Sequence, residues 1–213
     1  MKEGSVKHLA LGLIVAGSAA LWGGCATKGD AVPITVGIKP PATPATAQVH
    51  SAVKVAVTPF QDDRADRTKL GTRHSFWGTE EPYTVKNGTV GEAAAKALAE
   101  YLSRKGWQAR YAATAGESGG ADVVISGKVQ DLSADAHGSM GSTDITAKNK
   151  VVIQAANKAD GSSITSTTAH TGTYTVFWYA PEDGEEILSE VLEKNFEKFV
   201  GQTKFDGAAL RFR

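Results

Sequence analysis

The chain has one cysteine, Cys25, in 213 residues. A single thiol excludes an intramolecular disulfide and every multi-cysteine zinc or iron-sulfur site. There is no surplus of either charge, with 23 Lys+Arg against 23 Asp+Glu, and no basic run. Without a dense phosphate-neutralising surface, no nucleic-acid partner is expected. His50, His74, His137 and His170 are scattered, lack the i, i+4 spacing of a helical metal site and read as surface residues. Serines are plentiful, yet there is no Gly-x-Ser-x-Gly elbow and no glycine-rich phosphate loop. No metal, no cofactor and no enzymatic activity are expected. Residues 9–22 are uncharged, but this stretch is shorter than the roughly 20 residues that a membrane span needs.

What is present begins at the N-terminus. Lys2 and Lys7 precede the uncharged stretch, which ends in Trp22-Gly23-Gly24-Cys25. A basic region, a short apolar region and small residues in this order make residues 1–24 a secretory signal peptide. Gly23 and Gly24 directly before the only cysteine resemble the lipobox of bacterial lipoproteins, although Trp22 stands where those families usually carry leucine. The resemblance implies cleavage before Cys25 and a thioether-linked diacylglycerol on it. Each buried CH₂ contributes about 0.8 kcal/mol, and two or more chains anchor stably. Removing residues 1–24 takes away Lys2, Lys7 and Glu3, so of the 23 and 23 charged groups 21 basic and 22 acidic remain. Lipid rather than charge would hold the mature chain to the membrane. Ala26 stands where aspartate favours inner-membrane retention in many Gram-negative lipoproteins, so the expected location is the outer membrane, facing the periplasm.

Residues 25–50 read as a Pro/Ala/Thr-rich tether, too poor in apolar surface to fold alone. Within it Val32, Ile34, Val36 and Ile38 alternate at period two, which suits a short edge strand laid on the domain. Residues 51–205 read as the globular domain and 206–213 as a C-terminal tail. Val53, Val55 and Val57 mark a strand that Pro59 ends, and a long charged loop over 61–83 follows. Residues 91–105 carry Ala94, Leu98, Tyr101 and Leu102 on one helical stripe closed by Gly106, and 107–111 suit a returning strand. Residues 122–132, 144–155 and 162–179 alternate as strands, with turns at 138–141 and 157–161, and predict an antiparallel meander. Residues 184–200 form an amphipathic helix through Ile187, Leu188, Val191, Leu192, Phe196 and Phe199. The expected fold is α+β, an antiparallel sheet with two helices packed on one face. Val55, Val57, Leu98, Leu102, Ile125, Ile153, Val191 and Phe196 are the expected core.

The order of these features resembles the uncharacterised YajG-type bacterial lipoproteins. It comprises the cysteine, the proline-rich lead with Ile34-Thr35-Val36, the Asp62-Asp63-Arg64 loop, the Ala/Leu helix, the meander and the final helix. The most telling stretch runs from Ser133-Ala134-Asp135 through Asp144-Ile145 to Ile153-Gln154-Ala155-Ala156-Asn157. The resemblance implies location and fold and carries no enzymatic role. ABC-transport auxiliary lipoproteins share the layout more loosely.

Asp62, Asp63 and Asp66 lack the glycine and distal glutamate of an EF-hand and read as a solvated loop with Arg64 and Arg67 as partners. Phe76 and Trp77 lie off any periodic face. They either close the edge of the core or form a contact patch. The loop over 61–83 is longer than a strand-to-helix connection requires. The expected partner contact is therefore Trp77 with Phe76, oriented by Asp62 or Arg64. The leading function is a membrane-anchored, non-catalytic interaction module for an envelope protein. The alternatives are a ligand-binding or ABC-transport accessory lipoprotein and, last, an envelope hydrolase pairing Asp62 with His74.

Overall fold

A computed structural model of the chain describes residues 27–40, 52–86, 88–114 and 116–213. The signal segment, Cys25 and Asn87 lie outside the described residues. The alternating valines form β3 (Lys54–Val57), and the predicted meander is present as β8 (Val123–Ser139), β9 (Ser142–Asn157) and β10 (Ser163–Val176). Its pairings are antiparallel, from Val123 opposite Asn157 to Ser139 opposite Ser142, and from Ser163 opposite Ala156 to Val176 opposite Thr143. At about 3.3 Å per residue, strands of this length make a hairpin roughly 50 Å long.

The sheet as a whole is mixed rather than antiparallel. β3 runs parallel to β8 and to β7 (Gln108–Tyr111), and β5 (Gly71–His74) runs parallel to β8 but antiparallel to β6 (Thr79–Val85). Period-two patterning with short turns predicts antiparallel neighbours. A strand that returns after a helix, as β7 does after α1 (Val90–Arg104), comes back parallel. β9 covers one edge of β8 along its whole length. That β8–β9 pairing has one irregularity, between Val129 and Asp131, and the other edge of β8 is shared by β3, by β4 (Gln61–Asp62) and by β5.

Helix α1 starts where a capping box allows it: Glu92 N–H donates to Thr89 Oγ1 at 3.2 Å, and Thr89 N–H donates to Glu92 Oε2 at 3.1 Å. Gly106, at φ 81°, ends it. Helix α2 (Pro181–Gln202) has proline in its first turn, and Asp183 accepts the Ala180 N–H at 2.7 Å. Both helices bury their apolar stripes in one core, where the Tyr101 and Phe196 rings lie 5.7 Å apart. All eight expected core residues are buried.

Three segments depart from their expected form. The segment over 61–83 is no open loop but contains β4, β5 and β6, whose runs of Thr, Arg, His and Glu hide the strand period. Within the expected tether the anticipated short strand is present as β2 (Val32–Ile34); it and β1 (Thr27–Lys28) pair with β6, and Ile34, Val36 and Ile38 are buried. Thr35 N–H donates to Glu185 and Lys39 N–H to Ser189 on α2, both at 2.6 Å, so this lead is part of the domain. Residues 206–213 are not a tail either. β11 (Thr203–Asp206) and β12 (Ala209–Phe212) form a hairpin that buries Leu210, whose backbone exchanges two hydrogen bonds with the Asn157 side chain.

Candidate functional site

The registers bring three connections to one end of the molecule. His74 of β5 lies opposite His137 of β8, Ser139 opposite Ser142, and Val176 opposite Thr143, so the turns at 75–78 and 140–141 and the exit of β10 at 177–178 are neighbours. Each exposes large apolar side chains: Trp77 is 87% exposed, Met140 88%, Phe177 83%, Trp178 90% and Phe76 53%. Phe76, Trp77, Phe177 and Trp178 line one open cleft of about 570 Å³ together with serine, threonine and glycine. Arg73 is the one charged residue of its lining. Scattered apolar residues on a surface are ordinary, whereas here five exposed ones share one end.

Hydrogen bonds and ring contacts brace this end. Ser75 N–H donates to the Thr79 carbonyl and Thr79 N–H to Ser75 Oγ, both at 2.9 Å, while Gly78 at φ 83° makes the turn. A Cβ at Gly138 would meet Phe76 N at 2.9 Å, so glycine permits the close approach of β5. The His74 and His137 rings stack with centroids 4.7 Å apart and planes 3° from parallel. Beneath Trp178, the Tyr179 hydroxyl hydrogen-bonds that of Tyr83. Arg73 lies 4.6 Å from the Tyr179 ring centroid and donates to Glu81 at 2.6 Å. Burial pushes both phenols up; the hydrogen bond to Tyr179 adds to the rise at Tyr83, while at Tyr179 it and Arg73 partly oppose it. Both hydroxyls therefore stay neutral, and this pair fixes where the chain leaves β10.

Of the expected contact residues, the structure places Phe76 and Trp77 in the aromatic end, outside the core. Asp62 and Arg64 are elsewhere. Asp62 pairs in register with Val129, whereas Phe76 lies beside Gly138, roughly 30 Å farther along β8. The Arg64 side chain is only 5% exposed. Its Nε and Nη2 donate to the two Asp62 oxygens at 2.9 and 3.0 Å, and Nη1 donates to the Lys69 and Leu132 carbonyls at 2.8 and 3.3 Å. This guanidinium bridges the gap on the β8 edge between β4 and β5 and cannot orient Trp77. Burial would raise the Asp62 carboxyl, but the hydrogen bonds and charge of Arg64 outweigh it and hold the group below the ordinary value.

Asp63 faces Arg67 and Lys128 at 3.7 and 3.8 Å, and Asp66 accepts from Thr68, so the three aspartates are spent on local contacts. Among the described residues no group of three or more His, Cys, Asp or Glu could hold a metal ion. Asp62 and His74 do not converge, being paired with Val129 and His137 at separate places along β8. Among the described residues no helix is long and apolar enough to cross a membrane.

The sequence pattern points to two of the five aromatic-end residues, Phe76 and Trp77. Phe177 and Trp178 were absorbed into a strand over 162–179, although Phe177-Trp178-Tyr179 breaks the period-two alternation of β10. Met140 stands inside a turn flanked by Gly138 and Gly141, an unusual place for a large apolar side chain.

No family model and no curated protein matches the chain. Among solved structures it is similar to protein XCC0632 from Xanthomonas campestris, of the family-model DUF330. That likeness has 12% identity and a TM-score of 0.48, over 83% of this chain and 93% of that one. It is also similar to a PelC dodecamer from Paraburkholderia phytofirmans, with 20% identity and a TM-score of 0.38 over 69% and 85% of the two chains. A third is lipoprotein GNA1162 from Neisseria meningitidis, with 11% identity and a TM-score of 0.36 over 70% and 96%. Likeness at this level extends to neither function nor partner, and the YajG-type resemblance stays one of sequence order.

Proposed function

We propose that this protein is a lipid-anchored lipoprotein of the bacterial envelope that acts as a non-catalytic interaction module, with its aromatic end as the contact surface. The observation that carries this reading is the gathering of Phe76, Trp77, Met140, Phe177 and Trp178, all exposed, on three connections at one end. The basic and apolar N-terminal signal and Cys25 behind Gly23-Gly24 support the anchor, and Ala26 supports the outer membrane, facing the periplasm. In this reading α1 and α2 cover one face of the sheet and leave its long hairpin to present the tip. A ligand-binding or transport-accessory role calls for an enclosed apolar pocket. The cleft at the aromatic end is open and rich in serine and glycine, which favours a surface contact.

The test combines two measurements. A fatty-acid probe is expected to label the wild type and not Cys25→Ser; equal labelling of the two removes the anchor. A photoreactive residue at position 77 is expected to crosslink to an envelope component in intact cells. The same residue at Lys86 serves as the control site. Equal crosslinking from both positions would sink the contact surface.

A further inference from the structure

We infer that the aromatic end is a bilayer-docking surface: Phe76, Trp77, Met140, Phe177 and Trp178 enter the headgroup region of the leaflet that holds the acyl chains of Cys25. The inference rests on the lipid-anchor reading for the choice of leaflet, and on the sheet register for its geometry. β1 is parallel to β6, with Thr27 opposite Thr79 and Lys28 opposite Glu80. Going backward along β1 is therefore going backward along β6, and Trp77 precedes Thr79 by two residues as Cys25 precedes Thr27. Two residues of chain span at most about 7 Å, and paired strands lie about 4.8 Å apart. The diacylglycerol attachment point is thus confined to within about 20 Å of Trp77, with no long spacer to carry the domain away.

The chemistry of the end suits the interface rather than a protein groove or a second copy. Tryptophan and phenylalanine with small polar neighbours are the side chains favoured at the level of lipid headgroups. The cleft lining contains Ser75, Ser139 and Ser142 to meet headgroup oxygens, and no carboxylate to be repelled by anionic lipid. One acyl-bearing cysteine defines a point, about which a domain can swivel. A second apolar contact three connections wide fixes its orientation on the membrane and directs the opposite end, with the β11–β12 hairpin, away from it.

The test uses the full chain, exported and purified from membranes, in vesicles of phosphatidylethanolamine and phosphatidylglycerol. The lipids carry bromine either near the headgroups or near the chain ends. The mature chain has three tryptophans, Trp77, Trp107 and Trp178. Shallow bromine is expected to quench the two at the tip and leave about one third of the emission, with weaker quenching by deep bromine. Trp107 packs against Phe205 at a ring distance of 4.6 Å and is the internal control. The variant Trp77→Phe/Trp178→Phe, which keeps the fold and an aromatic surface, should lose the bromine effect. The lipid on Cys25 is checked by mass in the same preparation. Quenching in lipidated protein supports both readings. Quenching in unlipidated protein supports the docking surface while removing the anchor. Lipidated protein whose tip tryptophans are unquenched overturns the docking surface and leaves the anchor standing. Absence of both lipid and quenching overturns both, whatever protein or second copy the tip then touches.

Discussion

Replacing Arg64 with alanine should cost this protein about 3 kcal/mol, and the structure shows where that comes from. Four polar contacts end on one guanidinium that is 5% exposed: two to the Asp62 carboxylate and two to the carbonyls of Lys69 and Leu132. Hydrogen bonds involving a charged group contribute about 1.5–3 kcal/mol each, and breaking a buried ion pair costs about 3–5 kcal/mol. These do not add, and Asp62, 23% exposed, can recover water when its partner leaves, which places the loss at the low end of that range. For a domain of this size 1 kcal/mol moves the melting temperature by about 2–4 °C, so Arg64→Ala should melt about 6–12 °C below the wild type. Arg64→Lys should fall between, because one ammonium cannot serve a carboxylate and two carbonyls in the planar fork. A companion series follows from the direction of the Asp62 shift. A carboxyl depressed in the folded state stabilises above its unfolded value, near 3.9, and that contribution is lost as pH falls through the folded value. The advantage of wild type over Asp62→Asn should therefore be full at neutral pH and shrink below about pH 4. Thermal melts by circular dichroism read both series. A melting temperature of Arg64→Ala within about 2 °C of wild type would refute the reasoning, since it would mean that the guanidinium bridge holds nothing.

Trp77→Ala should change stability by no more than about 0.5 kcal/mol, as expected of a side chain 87% exposed; a sharp fall in melting temperature would return it to the core. Phe196→Ala should cost about 3–5 kcal/mol by opening a cavity against Tyr101, measurable by urea denaturation at unchanged slope. Gly71→Ala should cost about 3 kcal/mol or more, because φ is 134° and the added Cβ would lie 1.9 Å from the Ala134 carbonyl oxygen. A Gly71→Ala protein that melts like wild type would show that β5 can leave β8 without penalty.

Local pattern was enough for much of this protein. The apolar stripes of 91–105 and 184–200 anticipate α1 and α2 to within three residues at either end, because a helix buries one face and its period is written in the residues that do so. The meander was legible in order and number of strands, since Val123, Ile125 and Val129, and Val151 and Ile153, alternate toward one core and glycine-bearing turns join the strands, although β8 runs on to Ser139, past the expected end at 132. Cys25 and the signal before it are also a reading of sequence alone. What only the tertiary structure decided are relations between distant segments. The parallel pairings of β3, β5 and β1 depend on which strand edges remain free once the helices are packed, and no local period encodes that. The strands over 61–85 carry too few apolar residues to show alternation, so they exist only because β8 offers an edge to β4 and β5, and β5 in turn offers one to β6. Arg64 and Trp77 looked alike in the sequence, as charged and aromatic residues of one loop. The fold buried the first, because the unpaired carbonyl of Leu132 needed a donor. It exposed the second at a turn closed by the hydrogen bonds from Ser75 N–H to the Thr79 carbonyl and from Gly78 N–H to the Ser75 carbonyl. Phe177, Trp178 and Met140 join Trp77 for the same reason: strand registers bring together ends that are 37 to 101 residues apart in the chain.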